Sequence, residues 1–107
     1  MVDLTDRKKA MEDKYFRDAE QTFKLTVRRD RLFAKWVADL TARDDVTAYA
    51  AEITDARFKG GGDAGVVSKA LADLHAVGHN LTEQAVAAKL RELMVEVVEQ
   101  HGDSRSS

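Results

Sequence analysis

Across its 107 residues the chain has no proline. No position is therefore barred from a helix interior by a missing N–H or a fixed ring. Interruption falls to the six glycines: Gly60, Gly61 and Gly62 in a row, then Gly65, Gly78 and Gly102. A chain punctuated in this way is free to form long helices, and apolar spacing predicts where they lie. The first is expected from about Thr5 to Thr41, with Thr5 as N-cap and Asp6 in the favourable first turn. At 1.5 Å per residue it is roughly 55 Å long. The second runs from about Val46 to Phe58, behind a cap at Asp44 or Asp45, and carries Val46, Tyr49, Ala50 and Ile53 on one face. The triple glycine ends it. Asp63 is the expected cap of a third helix, Ala64 to Val77, with Val67, Ala70, Leu71 and Leu74 on its face. Gly78 suits its C-terminus. A fourth, Thr82 to Gln100, carries the stripe Val86, Leu90, Leu93 and Val97. Asn80 and Glu83 resemble a capping box at its start, and Gly102 is its expected end.

Nothing reads as a strand. Short loops between amphipathic helices predict an all-α fold, an antiparallel four-helix bundle. The expected organisation is a helical arm over residues 1–24, a bundle over 25–102 and a disordered tail over 103–107. The composition, 44% apolar and 34% charged, suits one globular domain. With no cysteine, disulfides and thiol chemistry are excluded, which fits a reducing compartment. The start, MVDLTDRKKAMEDK, lacks the apolar core of a secretory leader. No run reaches the roughly 18 apolar residues of a membrane span, so the expected location is cytoplasmic.

The long first helix poses a burial problem. At 100° per residue, Phe16, Ala19, Phe23 and Val27 lie within about 80° of one another. Leu25, Leu32, Phe33, Trp36 and Leu40 fall roughly on the opposite side. A straight helix cannot turn both stripes into one core. The bundle takes the second, which holds the single tryptophan; the first must face something else, or the helix must bend. Before Phe16 the chain is poorer in apolar residues. Its local support is the acid-to-base i,i+4 pairs Asp13 with Arg17 and Glu20 with Lys24, about 0.2–0.5 kcal/mol each. Because helix nucleation is costly, the first half of the helix is expected to be a marginal, mobile arm that folds fully against a partner. Met11, Tyr15 and Phe16 are its candidate contacts.

Charge narrows the partner. Residues 1–31 hold nine Lys/Arg and seven Asp/Glu, a net of +2; the remainder hold eight and twelve, a net of −4. Such near balance in the arm disfavours a nucleic-acid clamp, which needs uncompensated positive charge. The alternative of a small helical DNA- or RNA-binding regulator rests on Arg28, Arg29, Arg31 and Lys35.

In register, Asp6-Arg7, Ala10, Glu12, Lys14-Tyr15, Asp18, Glu20, Phe23-Lys24, Arg28-Arg29, Leu32 and Trp36 resemble the zeta-subunit ATPase inhibitors of alphaproteobacterial F-type ATP synthases. The resemblance is carried by about the first 40 residues. Beyond them only length and helix pattern agree. It implies a four-helix bundle with an N-terminal inhibitory segment. That segment enters a catalytic alpha/beta subunit interface of the synthase head, with gamma nearby, and blocks ATP hydrolysis. Its implied contacts are Asp6, Arg7, Ala10, Met11, Glu12, Lys14, Tyr15 and Phe16, with Phe23, Arg28, Arg29 and Arg31 as a secondary contact or hinge. It further implies weak adenine-nucleotide binding, no required cofactor, and attachment to the inner membrane only through the synthase. The chain departs from the family pattern at Asp30, where the family has Asn, and at Phe16, where a small residue is usual. The run Arg7-Lys8-Lys9 is also more basic. These departures bear on inhibitory strength.

Other features carry less. His75 and His79 have i,i+4 spacing, but Gly78 lies between them, so helix-end histidines are the simpler reading than a metal site. GGGDAGVVSK lacks the Gly-Lys-Ser/Thr ending of a phosphate loop, and Asp63 puts negative charge where phosphate would sit. Arg28-Arg29-Asp30-Arg31 is a contact patch or, more simply, a solvated face. Trp36 reads as core. Asn80-Leu81-Thr82 is a glycosylation sequon without secretion to use it. No nucleophile–base set and no isolated carboxylate pair points to catalysis, so the chain is not expected to be an enzyme.

Overall fold

The computed structural model describes the backbone of residues 4–106 and the side chains of residues 18–101. It consists of four helices: α1 (Leu4–Leu40), α2 (Val46–Lys59), α3 (Asp63–Ala76) and α4 (Glu83–Ser106). Each packs against its neighbour in sequence, and α4 closes the ring onto α1. The α1–α3 diagonal is the weakest contact. The chain is all-α, as the proline-free sequence predicts.

The core is Phe33, Ala34 and Val37 of α1, Tyr49 and Ile53 of α2, Val66, Val67, Ala70 and Leu74 of α3, and Val86, Leu90 and Leu93 of α4. Val97 is buried one turn beyond Leu93. Each large apolar side chain buried here contributes about 1.5–3 kcal/mol relative to exposure. The α4 stripe is buried residue for residue as its spacing predicts. On α1 the deepest line is Phe33, Ala34, Val37 and Ala38, while Leu32, Trp36 and Leu40 pack at its edge. Trp36 stacks on Phe33 with ring centroids 5.7 Å apart, and Lys89 lies 5.8 Å from the centre of its ring. It is a lid on the core rather than its centre.

The helix ends follow local chemistry. Asp45 caps α2, accepting from the Ala48 N–H at 2.9 Å. Thr82, not Asn80, caps α4, its hydroxyl accepting from the Ala85 N–H at 3.1 Å. Thr82 directly precedes the first helical residue, Glu83, so its hydroxyl reaches the third N–H, which Asn80 is too far upstream to do. Asp63 is not a cap either. It is the first residue of α3, Gly62 occupies the cap position, and its carboxylate is drawn to two arginines. At the far end of α3, Gly78 has φ +89°. The His79 N–H bonds to Leu74 O at 3.0 Å and the Gly78 N–H to His75 O at 3.1 Å, the paired bonds of a Schellman motif. The same bond pattern ends α1 at Ala42, a non-glycine residue at φ +57°. α4 continues past Gly102 to Ser106, because one glycine costs a helix only about 1 kcal/mol and no proline follows to stop it. The side chains of residues 102–107 lie outside the described residues.

α1 is one unbroken helix, but its stripes do not part as expected. At 100° per residue the buried line Ala34, Val37 and Ala38 lies on the same side as Ala19, Phe23 and Val27. The side of Leu32, Trp36 and Leu40 is only partly buried. Ala19, Phe23 and Val27 are exposed, whereas Phe33, Ala34 and Val37 are buried. The first stripe is exposed because it precedes Phe33, the first core residue of α1, not because it faces away from the core. α1 already includes Leu4, so Thr5 lies inside the helix rather than at its cap; the pair Asp13 with Arg17 falls on side chains outside the described residues.

Candidate functional site

The described flank of α1, from Asp18 to Arg31, emerges from the bundle next to the α2–α3 turn. Its inner side is held by four charges. Asp30 and Arg29 are only 6% and 5% exposed. Arg57 of α2 donates from Nε to Asp30 Oδ2 at 2.6 Å and from Nη2 to Oδ1 at 3.0 Å, a two-pronged guanidinium–carboxylate pair. Arg29 donates from Nη2 to Asp30 Oδ1 at 3.2 Å and to Asp63 Oδ1 at 2.7 Å. Arg57 Nη2 reaches Asp63 Oδ1 as well, at 2.8 Å. The quartet is neutral overall and ties α1, α2 and the start of α3 at one point.

Burial pulls the Asp63 carboxyl upward, but the hydrogen bonds from Arg29 and Arg57 outweigh it and hold the group below its ordinary range. For Arg57, burial works against the charge, and the bonds to Asp30 and Asp63 more than restore it. The turn beside the quartet is tight. A Cβ on Gly60 would lie 2.6 Å from the Gly65 Cα and 2.8 Å from Ala56 O. Only glycine lets α2 and α3 approach there.

A second network braces the opposite end of α2. Glu52 accepts from Arg43 at 2.6 Å and from Lys69 at 3.0 Å, which hold it below the usual carboxylate range. Tyr49 donates to Asp73 at 2.7 Å. Burial, then this bond, raises the phenol.

The outer side of the α1 flank is different. Phe23 is 61% exposed and Val27 is also exposed. Beside them on α2 stands Phe58, at 74% the most exposed large apolar side chain among the described residues. Phe23, Val27, Thr54 and Phe58 wall a cavity of about 280 Å³, with Asp30 and Arg57 also in its lining. A neighbouring cavity of about 480 Å³ runs on along α1 and α2 past Val27, Arg31 and Val46.

Of the site residues expected from the sequence, Asp6, Arg7, Ala10, Met11, Glu12, Lys14, Tyr15 and Phe16 lie outside the described side chains. Phe23, Arg28 and Arg31 are exposed on α1. Arg29 is a correction: it is buried and saturated by Asp30 and Asp63, so it is neither a surface contact nor part of a solvated face. The run Arg28–Arg31 therefore does not present three free cations, which weakens the nucleic-acid alternative. The spacing held the clue, since Arg29, Phe33 and Val37 recur every four residues on the buried line. Arg57 likewise falls on the Val46–Ile53 face. A charge on an apolar face signals an internal partner. Phe58 sits about 120° from that same face, the signal of its exposure.

The histidines do not converge. The Nε2 of His75 lies 2.8 Å from Leu81 O and that of His79 lies 2.7 Å from Leu40 O. A carbonyl only accepts, so each ring donates to a different backbone group. Among the described residues no cluster of His, Cys, Asp and Glu is placed to hold a metal, and no helix is long and apolar enough to cross a membrane.

No curated protein and no solved structure matches the chain. The family model ATPase inhibitor subunit zeta matches residues 1–100, taking in the bundle as well as the arm.

Proposed function

The chain belongs to the ATPase inhibitor subunit zeta family, and from that premise we propose that it stops ATP hydrolysis by lodging its N-terminal helix in a catalytic alpha/beta subunit interface of the F-type ATP synthase head. The block is steric. A catalytic interface must close on nucleotide and reopen, and a helix wedged into it holds it at one width. Met11, Tyr15 and Phe16 are the buried anchors, because aromatic and other large side chains carry most interface energy. Asp6, Arg7, Glu12 and Lys14 make the charged contacts, and Ala10 lets the helix approach closely. The bundle remains outside as a plug too wide to follow. The chain acts as a regulator rather than an enzyme, located in the cytoplasm and held at the inner membrane only through the synthase. Weak adenine-nucleotide binding to the bundle, read by calorimetric titration with ATP, belongs to the same proposal.

One observation supports this reading most: the family match spans the arm, while the exposed stripe of α1 finds no place in the chain's own core. Deleting residues 2–16 is expected to abolish inhibition of ATP hydrolysis by the synthase head while circular dichroism still reports a folded bundle. Full inhibition by the truncated chain would refute the mechanism.

A further inference from the structure

We propose that Phe58, together with Phe23 and Val27, forms a second docking surface for the same synthase head, so that the bundle's shoulder as well as the arm grips the partner. The proposal rests on the reading that the arm binds that head.

Continuity identifies the occupant. Ala19, Phe23 and Val27 continue the sequence stripe that begins at Phe16, and α1 runs through all four positions without a break. Phe16 to Phe23 is only about 10 Å along a helix. A protein surface that covers the stripe at Phe16 reaches Phe23, and Phe58 stands across the 280 Å³ cavity from it.

The composition of the patch fits a protein partner. Two phenyl rings and a valine form its centre. The salt bridges Glu20–Lys24, 3.4 Å, and Asp55–Lys59, 3.2 Å, lie at its margins. An apolar centre inside a charge-balanced rim is the anatomy of a protein interface. A nucleic acid would require net positive charge there. The floor is fixed, because Asp30 and Arg57 line the cavity while locked to each other in the salt-bridged quartet. The shoulder is thus pre-organised and loses little conformational freedom on binding.

The test titrates ATP hydrolysis by the isolated synthase head with the full-length chain and with Phe58→Ser. A photo-crosslinking benzoylphenylalanine at position 58 then identifies what the shoulder touches. Phe58 is largely solvent-exposed, so Phe58→Ser is expected to keep the wild-type thermal midpoint. Loss of an aromatic anchor is expected to raise the half-inhibitory concentration about tenfold, and the crosslinker is expected to join a synthase subunit. If wild type inhibits and Phe58→Ser matches it, the shoulder is not an interface, although the arm mechanism stands. If wild type itself does not inhibit, both readings fall. Stronger inhibition by Phe58→Ser would mean the patch holds the chain's own arm back. A crosslink to a second copy of the chain would mean self-association. Either result overturns the proposal.

Discussion

At Asp30 one buried carboxylate meets Arg57 and its own neighbour Arg29, and Asp63 completes the balance from α3. Removing one member of a buried charge set costs far more than forming the set contributes, because the remaining charges are left without water or partner. Asp30→Ala is expected to lower unfolding stability by about 3 kcal/mol in urea denaturation. Arg31→Ala, one residue away but exposed, should change it by no more than about 0.5 kcal/mol. The quartet also shapes the response to acid. Asp63 is held below its ordinary range, mainly by Arg29 and Arg57 against the pull of burial, and Glu52 is held low by Arg43 and Lys69. Their folded-state values are depressed, so the stability they add is complete above the ordinary carboxylate range, near pH 4, and is lost as pH falls through the lower folded values. Water screens both carboxylates, so the effect is modest. The thermal midpoint is expected to stay level from pH 7 to about pH 5 and to fall below about pH 4, with a shallower acid limb for Asp63→Asn. Ala42 sits in left-handed backbone at φ +57°, where a Cβ is disfavoured. Ala42→Gly is expected to stabilise by about 0.5–1 kcal/mol, read as a higher urea midpoint.

Among elements, the α2–α3 pair depends most on a single atom. Gly65 faces Ala56 O and Gly60 so closely that an added Cβ would strike backbone, which cannot swing aside. Gly65→Ala is expected to cost about 1–3 kcal/mol and to loosen the turn that carries Asp63. Alanine at Gly61, where a Cβ meets nothing but φ is +83°, should cost only about 1 kcal/mol of backbone strain. Hydrogen exchange at the start of α3 separates the two, since only the packing defect speeds it. Element boundaries were legible in the sequence to within one residue except at the end of α4, which runs six residues past the expected Gln100, because glycine and apolar period act locally but a single glycine does not stop a helix. The caps were less so. Asn80 and Thr82 are both competent by type, and the choice between them is made by which one directly precedes the first helical turn. Asp63 had the right chemistry for a cap, but two guanidinium groups arriving from α1 and α2 compete better than a backbone N–H.

For the whole molecule, the arm and the bundle separate energetically. Every described core residue lies at or beyond Phe33, so deleting residues 2–16 should leave the urea midpoint of the bundle unchanged while inhibition is lost. What the sequence by itself determined was the helical class and the number of helices. Both follow from period and from the absence of proline, which are properties of short stretches of chain. Which side of α1 is buried did not, since the core took Ala34 and Val37 rather than Trp36 and Leu40. The family resemblance was likewise written in consecutive residues of the first helix. Spacing with Phe33 and Val37 hints that Arg29 is buried, but only the tertiary structure brought it the remote partner Asp63 that balances its charge. It also decided the position of Phe58, distant from Phe23 in sequence yet across one cavity from it. Burial and charge pairing depend on which helices meet at a point. That is a sum over remote contacts, and no local window of the chain contains it.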